Sequence, residues 1–189
     1  MSWTAFWKAL YDRLLGALAL RWPPSGTVVV QEVLPSGYKT PQPPPVLESR
    51  SLDDVEECLR GPIQALQDAF RREQGKELYI TCTWRSTARQ RQLYAQGRGT
   101  RGLIVTNIDG VSKRSRHNYY PSQAVDVAVD VDPGPGKVIV WDIKEYLPLG
   151  ELCKRFGLVW GGSWTALKDY PHIELPAGWE KHPPTELSS

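Results

Sequence analysis

The chain is poor in the residues that most often build thiol chemistry. Three cysteines occur in 189 residues, odd in number and far apart at Cys58, Cys82 and Cys153. No Cys-x-x-Cys pair exists, which excludes a thiolate zinc knuckle. Cys58 and Cys82 fall within apolar patterns and read as buried, reduced thiols of a protein made in a reducing cytosol. An excess of one charge sign is also missing: 23 Lys and Arg against 21 Asp and Glu leave a net charge of +2. That balance removes any global electrostatic case for nucleic acid as a partner. Apolar runs are short. Leu14-Leu-Gly-Ala-Leu-Ala-Leu20 is preceded by Asp12 and followed by Arg21-Trp-Pro-Pro, with no small-residue cleavage site. It reads as neither a secretory signal nor a bilayer span.

What the chain does hold is enough apolar residue for one ordinary core, 41%, with 23% charged. Its length fits one domain with a tail to spare. Trp3, Phe6, Trp7, Leu10, Leu14 and Leu18 recur at helical steps, so residues 1–22 are predicted as an amphipathic helix. The expectation is that it packs on the main domain; membrane-surface contact through its tryptophans is the less favoured alternative. A strand over Thr27–Val33 and a proline-rich linker over Ser36–Pro45 follow. The expected layout is an N-terminal helix and linker over 1–45, a main domain over 46–180 and a tail over 181–189.

Within the main domain, Ser51 reads as a helix N-cap with Asp54 at the third helical position. Leu52, Val55, Leu59, Ile63, Leu66 and Phe70 continue a helical stripe, divided at Gly61-Pro62 and ended by Gly75. Leu78–Trp84 alternates as a strand, and Ser86–Gln96 reads as a helix closed by Gly97. Val125, Val127, Val129 and Val131 alternate with Asp126, Ala128, Asp130 and Asp132, a period-two strand with valines on the core face. Lys137–Trp141 is predicted to pair back after Pro133-Gly-Pro-Gly, and Ile143–Phe156 to be helical around an interruption at Pro148. The fold class is therefore α+β: a small antiparallel sheet with helices packed on it.

Two of the three histidines lie close to carboxylates. His117 precedes Asp126 by nine residues, and His172 sits between Asp169 and Glu174. A catalytic zinc site takes three protein ligands from His, Asp and Glu, leaves a position for water, and needs an acidic group to take the water's proton. His117, Asp126 and His172 can supply the ligands at the sheet face. Spacing alone leaves Asp126 and Asp130 open as ligand, because they share a strand face, and leaves Asp169 and Glu174 open as base. Arg98, Arg101, Lys113, Arg114 and Arg116, against Asp109 alone, form a basic lip ahead of His117. The lip is either a solvated loop or a surface for a polyanionic substrate. His182 has no such company and reads as surface. Trp141, Trp160 and Trp164 flank the histidine segments, so one or two are candidates for a groove.

The pattern resembles the zinc peptidases of bacterial cell-wall metabolism: D-alanyl-D-alanine carboxypeptidases and dipeptidases, and phage L-alanyl-D-glutamate endopeptidases. Their signature is Ser-x-His-x-x-Gly-x-Ala-x-Asp followed by Asp/Glu-x-x-His. Ser115, His117, Ala124 and Asp126 match the first part, and Asp169 and His172 the second. Flanking matches are Tyr79-Ile-Thr-Cys-Thr-Trp-Arg85-Ser, Gln90, Leu93-Tyr94, Gly97-Arg98, Val105-Thr-Asn107, Trp160-Gly-Gly-Ser-Trp164 and His172-Ile-Glu-Leu175. The resemblance covers roughly residues 50–176. One departure stands out: the usual glycine is absent, and Asn118-Tyr-Tyr-Pro-Ser-Gln123 lengthens the His-to-Asp interval by two residues.

The resemblance implies Zn2+ held by His117, Asp126 and His172, with Asp169 as base. It implies that Glu174 orients a ligand histidine, that Ser115 supports the histidine turn, and that Arg85 contacts the substrate carbonyl. Tyr119, Tyr120 and Trp164 are candidate substrate contacts. The implied substrate is the peptidoglycan stem peptide, cut at the L-alanyl-D-glutamate bond. A D-alanyl-D-alanine carboxypeptidase or dipeptidase is the alternative. A non-catalytic wall-binding or virion component is a second, against which Asp169 and Arg85 argue because a binder needs neither. The expected form is a monomer made in a bacterial cytoplasm, as a phage endolysin is, and acting on the wall after release.

Overall fold

Leu59, Ile63, Leu66 and Phe70 fall on one face of a helix, α1, over Glu57–Gln74, and all four are buried. The computed structural model describes residues 47–134 and 136–184. The helix expected over 1–22, the strand over 27–33 and the linker over 36–45 lie outside the described residues. Ser51 caps as predicted, its side chain accepting from the Asp53 N–H at 3.1 Å, but it caps a short 3-10 turn over Leu52–Asp54. The chain then extends through Val55 and Glu56 before α1 begins. The stripe is thus divided there and not at Gly61-Pro62. Pro62 lies buried inside α1 without ending it. Gly75, at φ 64°, ends the helix in the left-handed conformation that glycine adopts without strain.

The sheet has five strands: β1 Glu77–Cys82, β2 Ala124–Asp130, β3 Ile139–Val140, β4 Val159–Trp160 and β5 His172–Glu174. Its order is β1-β2-β5-β4, and every pairing is antiparallel. β3 and β5 share one edge of β2, β5 along residues 124–126 and β3 along 129–130. The expected strand to Trp84 stops at Cys82, where the register with β2 shifts. Thr83 and Trp84 turn instead to residue 49, with Ser49 N–H donating to Trp84 O at 2.8 Å and Thr83 N–H to Ser49 O at 2.7 Å.

Helix α2 spans Thr87–Ala95 under a Ser86 cap, and α3 (Ile143–Tyr146) and α4 (Leu149–Arg155) flank Pro148. The valines of β2, Ile173 of β5, the α1 stripe, and Leu149, Leu152 and Phe156 form one apolar cluster. Cys82 and Cys153 are buried and Cys58 only partly so, all three as free thiols. Cys58 lies at the edge of the cluster rather than inside it. No described helix is long and apolar enough to cross a membrane.

Leu66 is fully buried at the centre of this cluster. Leu66→Ala is expected to lower unfolding free energy by about 2–5 kcal/mol through lost burial and an unfilled cavity, read by chemical denaturation.

Candidate metal centre

The β2–β5 register places Asp126 directly opposite His172 and Val125 opposite Ile173. Side chains alternate between faces along a strand. Asp126, His172 and Glu174 therefore share the face turned away from the valine core. A directly opposed antiparallel pair has its Cβ atoms about 4.5–5.5 Å apart, close enough for both side chains to meet one ion.

His117 arrives from a separate loop. It sits in a 3-10 turn over Arg116–Asn118, where the Ser115 hydroxyl accepts from the His117 N–H and the Asn118 side chain accepts from the Ser115 N–H at 3.0 Å. That turn is fastened to the segment after β1. Arg85 N–H donates to His117 O at 2.9 Å, and Asn118 Nδ2 donates to Arg85 O at 2.9 Å. The longer loop from Asn118 to Gln123 is accommodated by bonding to the segment just before α1. Ser122 N–H donates to Asp54 O at 2.7 Å, and Glu56 N–H donates to Ser122 O at 2.9 Å.

Three atoms from these elements form a nearly equilateral triangle. His117 Nε2 lies 3.0 Å from Asp126 Oδ1 and 3.2 Å from His172 Nδ1, and His172 Nδ1 lies 3.0 Å from Asp126 Oδ1. Tetrahedral bonds of about 2.0–2.1 Å put neighbouring ligand atoms roughly 3.3 Å apart. The far nitrogen of each ring is already committed. His117 Nδ1 is 2.6 Å from Thr83 O, and His172 Nε2 is 3.0 Å from Glu174 Oε2. Those partners accept, so each histidine donates outward and turns a lone pair inward. Two lone pairs and a carboxylate converging on one point are a donor set for a divalent cation. The residues present fit zinc.

Asp169 stands beside this set: Asp126, Asp169 and His172 each offer a ligand atom within 4.8 Å of the others. Its place is set by a tight turn, with the His172 N–H donating to Asp169 O at 3.2 Å and the Asp169 N–H donating to Gly161 O at 3.1 Å. A Cβ at position 161 would come within 2.4 Å of Asp169 O, so the approach requires glycine. A second set, Cys82, His117 and Asp126, is also within reach. Burial pushes the Cys82 thiol up to about 12, and its sulfur lies 3.9 Å from a histidine nitrogen already bound to Thr83 O. The set containing His172 is the better donor.

Electrostatics follow the crowding. Burial lowers the pKa of His117. Burial opposes charge on His172 too, but its hydrogen bonds to Asp126 and Glu174 outweigh that and push it up to about 10, so a cation gains the Nδ1 lone pair only by displacing a proton. Burial also opposes ionisation of Asp126, yet His117, His172 and Arg85 hold its carboxyl well below the usual range. Asp169 is pushed up to about 6, by burial first and then by the neighbouring Asp126 charge.

A cleft of about 840 Å³ opens over the centre, lined by the triangle residues, Arg85, Asp169, Glu174, Tyr119, Trp141 and Trp164 among others. The Trp164 ring lies 5.0 Å from that of His172. Tyr120 does not line the cleft; its hydroxyl donates to Asp54 at 3.0 Å. Trp160 lies beneath the site, donating to Tyr170 O at 2.8 Å, and His182 lies outside the cleft. Asp130, at the far end of β2, accepts from the Asp132 and Val138 N–H groups and closes the β3 hairpin.

Arg85 Nη2 donates to Asp126 Oδ2 at 2.9 Å and Nη1 to Gln90 Oε1 at 3.2 Å, so its fork holds the carboxylate's outer oxygen. Two participants have no site role assigned from the sequence, although Gln90 is among the flanking matches. The Thr83 carbonyl, a backbone group, leaves no signal in the side-chain pattern. Gln90 is buried on a helix without an apolar stripe, and its amide nitrogen donates to Ile108 O at 2.8 Å.

Residues 109–175 match the family described as D-alanyl-D-alanine carboxypeptidase. Over 110 residues the chain is 37% identical to the peptidoglycan L-alanyl-D-glutamate endopeptidase CwlK of Bacillus subtilis (strain 168). That alignment takes in 53% of this chain and 62% of the relative, so the chain spans under two thirds of that protein's length. Among solved structures, the L-Ala D-Glu endopeptidase ChiX of Serratia marcescens is similar, with 28% identity and a TM-score of 0.44. The match covers 72% of this chain and 95% of that one. The family match over residues 109–175 contains the Ser-x-His and Asp-x-x-His motifs, so the segment bearing His117, Asp126 and His172 is the part of the chain that resembles that family.

Gln90 links Arg85 to the 106–108 loop, and Gln90→Ala would leave the Ile108 carbonyl and one Arg85 N–H without that partner. The expected cost is about 1–3 kcal/mol, read as a lowered denaturation midpoint.

Proposed function

We propose that this chain is a zinc-dependent peptidoglycan peptidase that hydrolyses the stem peptide, most favourably at the L-alanyl-D-glutamate bond. The observation that carries the reading is the triangle of His117 Nε2, Asp126 Oδ1 and His172 Nδ1 with Asp169 beside it at the floor of an open cleft. His117, Asp126 and His172 would hold the ion, and Thr83 O, Glu174 and Arg85 would keep those three in position. Bound zinc supplies Lewis acidity, which makes water a stronger acid and a carbonyl a better electrophile.

The protein's own residues do the rest. Asp169 takes a proton from the attacking water and returns it to the amine that leaves. A carboxyl pushed up to about 6 suits both directions of transfer near neutral pH. Arg85 keeps Asp126 ionised and, at the cleft wall, adds fixed positive charge near the developing oxyanion. Trp164 and Tyr119 border the space a peptide would occupy. The similarity to the Bacillus endopeptidase favours the L-alanyl-D-glutamate bond over the carboxypeptidase alternative. An endolysin-like role in wall lysis is part of the same proposal.

Digestion of purified peptidoglycan, followed by mass spectrometry, tests the bond. New amino-terminal D-glutamate is expected, whereas release of free D-alanine alone would assign a carboxypeptidase. Asp169→Asn should retain zinc and lose about 10²–10⁴-fold in turnover, the contribution of a positioned acid–base group. Because the base works as the anion, wild-type activity should fall as pH drops through about 6 or somewhat lower, where Asp169 takes up a proton. Full turnover by Asp169→Asn would remove that residue from the mechanism.

A further inference from the structure

The basic lip reads in the sequence as five equivalent cations, but the structure divides them. Arg98 is spent internally: it donates to Tyr94 O at 2.8 Å and Thr106 O at 3.0 Å, and lies over the Tyr94 ring. Arg116 also lines the cleft, but it is half-buried and its Nη1 donates to the Gln123 side chain at 2.5 Å. Arg101 is exposed and does not line the cleft. Lys113 and Arg114 remain, both exposed and both on the cleft wall. Neither has a carboxylate partner among the described residues.

Their placement is held from both sides. Asp109 accepts from the Val111 N–H at 2.9 Å, the Lys113 N–H at 3.1 Å and the Ser112 hydroxyl at 2.6 Å, which fixes the turn carrying them. Gly110 N–H donates to Lys113 O at 3.0 Å. The Arg114 guanidinium lies 5.7 Å from the Tyr119 ring centre, within cation–π range, so its flat face is supported while its donor edge stays free. Arg114 is three residues before His117, which limits the separation of their Cα atoms to about 11 Å. A group bound at Arg114 therefore lies within a few peptide residues of the bond being cut.

We propose that Lys113 and Arg114 form an acid-reading subsite, which selects peptides bearing a free carboxylate close to the scissile bond. The inference rests on the peptidase reading and adds the residues that would set its specificity. A guanidinium edge binds a carboxylate through paired charge-assisted hydrogen bonds, and the nearby ammonium adds charge without geometry. A carboxamide in the same place cannot accept both and carries no charge. Lysine and arginine act here on binding rather than on proton transfer.

The test uses the zinc-loaded protein and two peptides that differ only in one group beside the cleaved bond, carboxylate in one and carboxamide in the other. Wild type should prefer the acid by about 3- to 10-fold in kcat/KM, mostly through KM, as expected for charge-assisted bonds at a partly solvated wall. The preference should shrink with added salt. The double variant Lys113→Gln with Arg114→Gln should bring the ratio close to 1, with the loss falling on the acid peptide. Equal cleavage of both peptides by wild type, or an unaltered preference in the variant, overturns the subsite. Calorimetric binding of the same peptides to Asp169→Asn separates the two claims. Acid-selective binding that the Gln variants abolish supports the subsite even if no cleavage is found, and in that case it is the peptidase reading that fails. Equal binding of acid and amide counts against the subsite whatever the turnover.

Discussion

The antiparallel register between β2 and β5 is the constraint on which the site depends. It puts Asp126 opposite His172 and leaves Val125 and Ile173 to the core. Because side chains alternate, a slip of β5 by one residue would carry His172 into the apolar layer, away from Asp126, and bring Ile173 to the cleft. The same burial that packs Val125, Val127, Val129 and Ile173 against α1 therefore sets the ligand pair. Core packing and the geometry of the candidate metal site are two faces of one pairing.

Around that pair the donor set is completed by groups that cannot act alone. His117 is brought in by a capped turn fastened to residues 83–85, and its ring is aimed by a carbonyl. His172 is aimed by Glu174 two residues along the same strand. Each outer partner fixes a tautomer, and the tautomer decides where the lone pair points. Arg85 does the equivalent for Asp126 by occupying its outer oxygen. A buried cluster of two histidines and two aspartates is costly without compensation. Here His117, Asp126 and His172 each have an outer partner that leaves an inner atom directed towards one point.

Much of this was legible in the sequence because it is written in spacing. Period-two alternation located β2 and its core face, Gly75 and Ser86 marked helix ends, and the two histidine segments marked the centre. Other features depend on tertiary contacts that spacing does not encode. Asp126 and Asp130 look equivalent along the strand, and only the hairpin bonds of Asp130 distinguish them. The break before α1 comes from residues 54–56 bonding to Ser122, a partner far along the chain. The neighbouring tyrosines 119 and 120 look alike in sequence, yet one lines the cleft and the other reaches Asp54. Of the five lip cations, Arg98 and Arg116 bond to the protein itself and Arg101 does not line the cleft, which leaves Lys113 and Arg114 exposed on its wall.

Zinc K-edge X-ray absorption on the metal-loaded protein tests the donor set most directly. Only nitrogen and oxygen neighbours at about 2.0–2.2 Å are expected, with the outer-shell pattern of two imidazoles. A sulfur neighbour at about 2.3 Å would contradict it, moving the ion to Cys82, His117 and Asp126.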